Sequence, residues 1–95
     1  MSDAAPSAQA VLNICNQRGL HARASAKFVK LASEFESEIK VTRDGVTVDA
    51  RSIMGLLMLG AGIGCDVEVK AQGRDAPEAV AALTDLVARR FDEDQ

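Results

Sequence analysis

EIKVTRDGVTVDA, residues Glu38–Ala50, consists of two alternating apolar–polar runs around an Asp-Gly pair. Ile39 and Val41 lie in phase on the first run, and Val46 and Val48 on the second. A period of two is that of a strand with one face buried. Asp44 and Gly45 are a pair favoured in tight hairpin turns, because both tolerate positive φ at the central positions. The stretch predicts a β-hairpin, so the flanking segments have to fit an antiparallel sheet.

Moving toward the C-terminus, RSIMGLLMLGAG (Arg51–Gly62) opens on Ser52, a natural N-cap, and its apolar run stops at the glycine-rich breaker Gly60–Gly64. That pattern predicts a two-turn helix. CDVEVKAQG alternates again and predicts a strand with Val67 and Val69 inward. RDAPEAVAALTDLVARRF (Arg74–Phe91) carries a helix start signal: Asp75 as N-cap, Glu78 as capping-box partner and Pro77 in the first turn. Val80, Leu83, Val87 and Phe91 form its apolar stripe. On the N-terminal side, AVLNICN (Ala10–Asn16) predicts a strand with Leu12 and Ile14 on one face, and QRGL turns the chain at Gly19. From Ala22 onward, Ala24, Phe28, Leu31, Ala32 and Phe35 recur at helical spacing, which predicts a helix ending near Phe35–Ser37. The order is β-α-β-β-α-β-α. It predicts an α/β (α+β) open-faced sandwich, a four-stranded antiparallel sheet with three helices on one face.

Ninety-five residues, 47% of them apolar, suit one small domain. The reading divides the chain into a loose N-terminal tail, 1–8, and a single domain, 9–95. MSDAAPSA has neither a basic start nor an apolar stretch, so no signal peptide is expected, and no apolar run is long enough to span a bilayer. A cytoplasmic protein is expected. There Cys15 and Cys65 are better read as two packed thiols than as a disulfide, and no ligand set for a metal accompanies them. A net charge of −3 and the absence of Trp and Tyr argue against nucleic acid. Charge distribution says more than the sum. From Ala4 to Ser33 there is no acid, while Arg18, Arg23, Lys27 and Lys30 all fall there. A basic surface near that segment suits an acidic protein or a phosphoryl group.

The chain's only histidine, His21, sits inside that basic segment. A lone histidine is often just a partly exposed polar residue. Here, however, it lies where the helix of Ala22 begins, beside backbone N–H groups that have no intrahelical acceptor. Those amides of Ala22 and Arg23, with the positive end of the helix dipole, can bind an anion and disfavour charge on the imidazole. Arg23 adds a fork of donors that fits phosphate oxygens. A nucleophile, amides and an arginine are what reversible phosphoryl capture needs. No carboxylate pair, metal ligand set or P-loop glycine pattern accompanies them, so a phosphoryl acceptor is expected rather than a complete enzyme. A non-catalytic regulatory module that binds a small ligand or a partner protein is the alternative.

GLHARASAKFVKLASEF resembles the active-site segment of the HPr family, the histidine-containing phosphocarriers of the bacterial PEP-dependent phosphotransferase system, and RSIMGLLMLGAG resembles that family's second signature. The resemblance runs from about Val11 to Phe91, and it implies the open-faced βαββαβα sandwich. It also implies that His21 takes phosphate, on Nδ1, from PEP by way of enzyme I and passes it to an enzyme IIA, with Arg23 steadying the phosphoryl group. Ser52 matches the serine that an HPr kinase/phosphorylase modifies in some bacteria. Ile53, Met54 and Leu57 match the apolar docking patch, and Lys27 and Lys30 match positions that present positive charge to partners. The segment RRFDEDQ and the apolar second helix look similar to the nitrogen-related (NPr-like) branch, which implies a regulatory IIA acceptor rather than a sugar permease. A monomer without cofactor is expected. The chain departs from the family motif at Ala24, where proline is usual; this restores a backbone donor and predicts an altered phosphohistidine lifetime.

Helical spacing within Ser52–Leu59 puts Leu56 and Leu59 toward the core and leaves Ile53, Met54 and Leu57 partly exposed. Apolar clusters of that kind mark partner sites, and methionine suits a surface that fits several partners.

Overall fold

The computed structural model describes residues 6–93. Four strands, β1 (Ser7–Asn13), β2 (Glu38–Arg43), β3 (Val46–Asp49) and β4 (Asp66–Gln72), form one sheet in the order β1-β4-β2-β3. Every neighbouring pair is antiparallel, so β4 fills the place between β1 and β2. Helices α1 (Ala22–Ala32), α2 (Ile53–Met58) and α3 (Ala76–Ala88) cover one face. Period-two patterning puts Leu12, Ile39, Val41, Val67, Val69 and Ala71 beneath them. Gln9, Lys40, Thr42 and Lys70 alternate onto the open face.

The predicted hairpin forms, with φ of 50° at Asp44 and 80° at Gly45. Both central residues are left-handed, as a tight turn with the sheet's own twist requires. Thr42 and Thr47 face each other across the pair, their hydroxyls 2.8 Å apart. Val46 is an exception to the expected inward phase: β3 is the edge strand and this residue is exposed.

Several boundaries differ from expectation. Ser7 and Ala8, read as tail, pair with Gln72 and Ala71 in β1; residues 1–5 of that tail lie outside the described residues. Helix α1 stops at Ala32, a turn early, because Arg51 from the β3–α2 loop donates to the carbonyls of Phe35 at 2.7 Å and Ser37 at 3.0 Å. Those carbonyls are then satisfied without further helix.

The largest difference is at the end of the chain. Helix α3 ends at Ala88, and Arg90, Phe91 and Asp92 follow with φ of 58°, 55° and 62° in a left-handed turn. None of the three is glycine, and each such residue costs on the order of 1–2 kcal/mol. Burying the Phe91 side chain completely offsets much of this. Continued helix would have kept the predicted stripe spacing, but the turn instead drives Phe91 into the core beside α1.

Candidate functional site

His21 is the N-cap residue of α1, with extended backbone (φ −78°, ψ −178°) and no hydrogen bond from its side chain to the helix. Its carbonyl accepts from Ser25 N at 2.8 Å, which closes the first turn; the amides of Ala22 and Arg23, both exposed residues, precede the first intrahelical donor and have no acceptor within the helix. The loop before it is held from the far end of α2. Leu20 N donates to Ala61 O at 2.9 Å, and Gly19 takes φ +66° in a space so narrow that an added Cβ would meet Ala61 O at 2.5 Å. Only glycine satisfies both demands. The ring stands at the surface, with 23% of its side chain exposed.

The imidazole does not stand in a purely basic environment. Glu93 Oε2 lies 2.6 Å from His21 Nε2. Its other oxygen, Oε1, accepts from Asn16 Nδ2 at 2.9 Å, and the same amide nitrogen donates to Gly19 O at 2.9 Å. Asn16 is completely buried. Burial works to raise the Glu93 carboxyl, but the hydrogen bonds from Asn16 and His21, with the charges of His21 and Arg18, outweigh it and hold the group below the usual carboxylate range. A carboxylate cannot donate, so Nε2 carries the proton in this pair. Among the described residues Nδ1 makes no hydrogen bond.

Glu93 escaped the sequence reading. From Ala4 to Ser33 the chain is free of acid, and the carboxylate beside the histidine comes from seventy-two positions further on. Lys27 is also placed differently from expectation. Its Nζ donates to Phe91 O at 2.7 Å, so it ties α1 to the left-handed turn and is only partly available to a partner. Lys30 is exposed in the last turn of α1, where its charge suits the helix dipole. Arg23 is exposed one residue into the helix from Ala22, with no hydrogen bond among the described residues. Ala24 is completely buried, and α1 begins regularly without the proline.

Ser52 caps α2 as expected: its Oγ accepts from Gly55 N at 2.9 Å. Leu56 and Leu59 face the core, Ile53 is exposed and Leu57 half-buried. Met54 and Met58 are 68% and 72% exposed, so Met58 joins the surface patch, as does Ile63 in the following loop. The element that carries this apolar surface packs on α1, and its trailing loop holds Leu20, the residue before the histidine.

Asp75 is the N-cap residue of α3 by position but makes no side-chain cap, and the predicted capping box with Glu78 does not form. Its carboxylate accepts instead from Ser37 Oγ at 2.5 Å, Glu36 N at 2.9 Å and Ser37 N at 3.0 Å. Cys15 and Cys65 are separate thiols: Cys15 Sγ donates to Val87 O at 3.3 Å and Cys65 Sγ accepts from Arg43 at 3.3 Å. Among the described residues no helix is long and apolar enough to cross a membrane.

A family model described as the "PTS HPr component phosphorylation site" matches residues 8–89. The chain belongs to the HPr family. It is 54% identical over 80 residues to the phosphocarrier protein HPr of Cupriavidus necator, covering 84% of this chain and 90% of that one. It is 44% identical over 82 residues to the phosphocarrier protein NPr of Shewanella violacea, covering 86% and 90%. The crystal structure of HPr-C-His from Thermoanaerobacter tengcongensis superposes with a TM-score of 0.89 at 43% identity, over 93% of this chain and 99% of that one. HPr-family membership and the open-faced sandwich therefore agree with the resemblance carried by the two sequence signatures. In HPr terms the chain is a phosphocarrier of the phosphotransferase system.

Proposed function

We propose that this chain takes a phosphoryl group on His21 from enzyme I, itself charged from PEP, and hands it to a IIA-type acceptor, as a cytoplasmic monomer with no turnover of its own. The observation that carries the reading is the placement of a partly exposed imidazole at the uncapped start of α1. An incoming PO₃ group meets the amides of Ala22 and Arg23 and the positive end of the helix dipole. Arg23 is long enough to close over its oxygens with paired donors. All of these partners are surface groups, so the anion is stabilised without being buried, as a carrier that must release it requires.

The apolar residues Ile53, Met54 and Leu57, with Lys27 and Lys30, supply the docking surface for both donor and acceptor. One surface that serves two partners in turn implies weak, transient complexes. Ser52 is the regulatory position for an HPr kinase/phosphorylase. A phosphate there sits at a helix start, where negative charge is tolerated, and adds repulsion next to the patch. The nitrogen-regulatory branch is supported by the similarity to a protein named NPr and by the apolar α2; the acceptor that receives label decides it against a sugar-uptake role.

The test is incubation with PEP and enzyme I followed by intact-mass measurement. An acid-labile, base-stable gain of one phosphate is expected, lost in His21→Ala and retained in Ser52→Ala. No gain, or a gain that survives His21→Ala, overturns the assignment and leaves a binding module without phosphotransfer.

A further inference from the structure

We propose that Glu93 is a positioning residue for phosphotransfer, holding the Nε2 proton of His21 so that the ring presents its lone pair at Nδ1. The inference rests on His21 being the acceptor. Its first observation is the pair itself, Nε2 and Oε2 at 2.6 Å. In a neutral imidazole a donor at one nitrogen fixes the other as the nucleophile.

The second observation is how firmly the carboxylate is held. Asn16 is completely buried, directs Nδ2 at Glu93 Oε1 and Gly19 O, and leaves its own Oδ1 without a partner among the described residues. An orphaned buried oxygen is a cost, and it persists where the surroundings impose the geometry. Two donors, Asn16 Nδ2 and His21 Nε2–H, therefore converge on the two oxygens of one group. Glutamine has only one acceptor to offer them, so the site calls for a carboxylate.

A third observation is the chain path that brings Glu93 to the ring. Three consecutive left-handed residues precede it, with the Phe91 ring locked in the core and the Phe91 carbonyl tied to Lys27 on α1. Strain of that kind, anchored on both sides and ending at the histidine, points to a constraint imposed by the site.

The chemistry gives the carboxylate a task. The Nδ1 lone pair forms the new N–P bond while the donor's bond to phosphorus breaks and the donor atom keeps that electron pair. No proton leaves the ring, because Nε2 keeps its hydrogen. The imidazole therefore gains positive charge as the bond forms, and a carboxylate on Nε2, across the ring from Nδ1, stabilises that charge. This is the part an aspartate plays behind a catalytic histidine in a hydrolase triad. The same interaction assists the return step only as far as the charge persists, so the transfer stays reversible.

The test separates this idea from the acceptor assignment by reading the unphosphorylated protein first. Imidazole ¹H–¹⁵N spectra of the full chain under mildly alkaline conditions should show one neutral tautomer, protonated at Nε2. In Glu93→Gln the proton should be shared between the two nitrogens, and acceptance of phosphate from enzyme I should slow about tenfold, in line with the loss of a histidine-orienting partner elsewhere. Asp92→Asn removes a neighbouring charge that pairs with Arg89 and should leave both readouts as in the native chain. Glu93→Ala should behave as Glu93→Gln does, which guards against an effect peculiar to the amide. A native ring protonated at Nδ1, a tautomer unchanged in both Glu93 variants, or faster acceptance in either would overturn the proposal, the last showing Glu93 to be a gate. Loss of labelling at His21 in the native chain would instead strike the acceptor assignment.

Discussion

Gly19 and Ala61 touch so closely that the loop before α1 and the loop after α2 behave as one structural unit. A Cβ at position 19 would sit 2.5 Å from the Ala61 carbonyl oxygen, which already accepts from Leu20 N. The backbone at 19 also has positive φ. Gly19→Ala therefore suffers both strain and a clash with main chain. A loss of about 2–4 kcal/mol is expected in urea denaturation. His21, two residues on, should shift with the loop, so phosphate acceptance should fall beyond what the folded fraction explains.

Asp75 binds Ser37 across the molecule and does not cap its own helix. Hydrogen bonds from Ser37 Oγ and the amide of Glu36, opposed by desolvation and joined by the amide of Ser37, hold the Asp75 carboxyl below its ordinary value. A group depressed in the folded state contributes stability above its unfolded pKa, near 3.9, and loses it as pH falls through the folded value. Acid titration of stability should show the native chain weakening below about pH 4 through this group. Asp75→Asn, already without that contribution at neutral pH, should fall less over the same interval, so the two stabilities converge. Parallel curves from pH 7 to pH 2 would count against it.

Phe91 holds the left-handed turn in place. Phe91→Ala removes a completely buried ring and should cost about 3–5 kcal/mol, measured by denaturant unfolding. Loss of the anchor also frees Glu93, so the tautomer spectrum of His21 in the folded variant should resemble that of Glu93→Gln.

Two substitutions separate the capping and regulatory roles of Ser52. Ser52→Ala deletes the acceptor for Gly55 N and should cost about 1 kcal/mol while leaving phosphate acceptance unchanged. Ser52→Asp keeps a cap and adds charge, so stability should be held while acceptance from enzyme I slows. A Ser52→Asp protein phosphorylated at the native rate would remove the regulatory role.

The α2 surface predicts a binding defect without a folding defect. Met54 is exposed, and Met54→Glu should alter stability by no more than about 0.5 kcal/mol. Titration calorimetry with enzyme I or the acceptor should nonetheless show weaker binding. Added salt should slow encounter of the native chain because Lys30 and Arg23 lie exposed on α1, the helix against which α2 packs.

Much of this fold is legible from short-range pattern. Alternation in β2 and β4, the Asp44-Gly45 turn, the Ser52 cap and the apolar spacing in α1 each follow from forces between residues a few positions apart. The same holds for half of the site. His21, Ala22 and Arg23 come together because a helix starts there, and any reader of the helix start finds them. Other features depended on groups far away in sequence. Arg51 ends α1 from nineteen residues beyond its last turn. Asp75 had an ordinary capping role open to it, yet Ser37 offers a hydroxyl and an amide in a spot where burial makes unpaired donors costly.

Sequence alone determined the order and approximate place of the strands and helices, and the imidazole at a helix start, because hydrophobic period, turn chemistry and capping are local properties of the chain. Tertiary structure alone decided that β4 lies between β1 and β2, that α3 breaks so that Phe91 can be buried, and that Glu93 meets His21. Those outcomes depend on which buried donors and cavities the collapsed core leaves to be satisfied. No window of neighbouring residues contains that information.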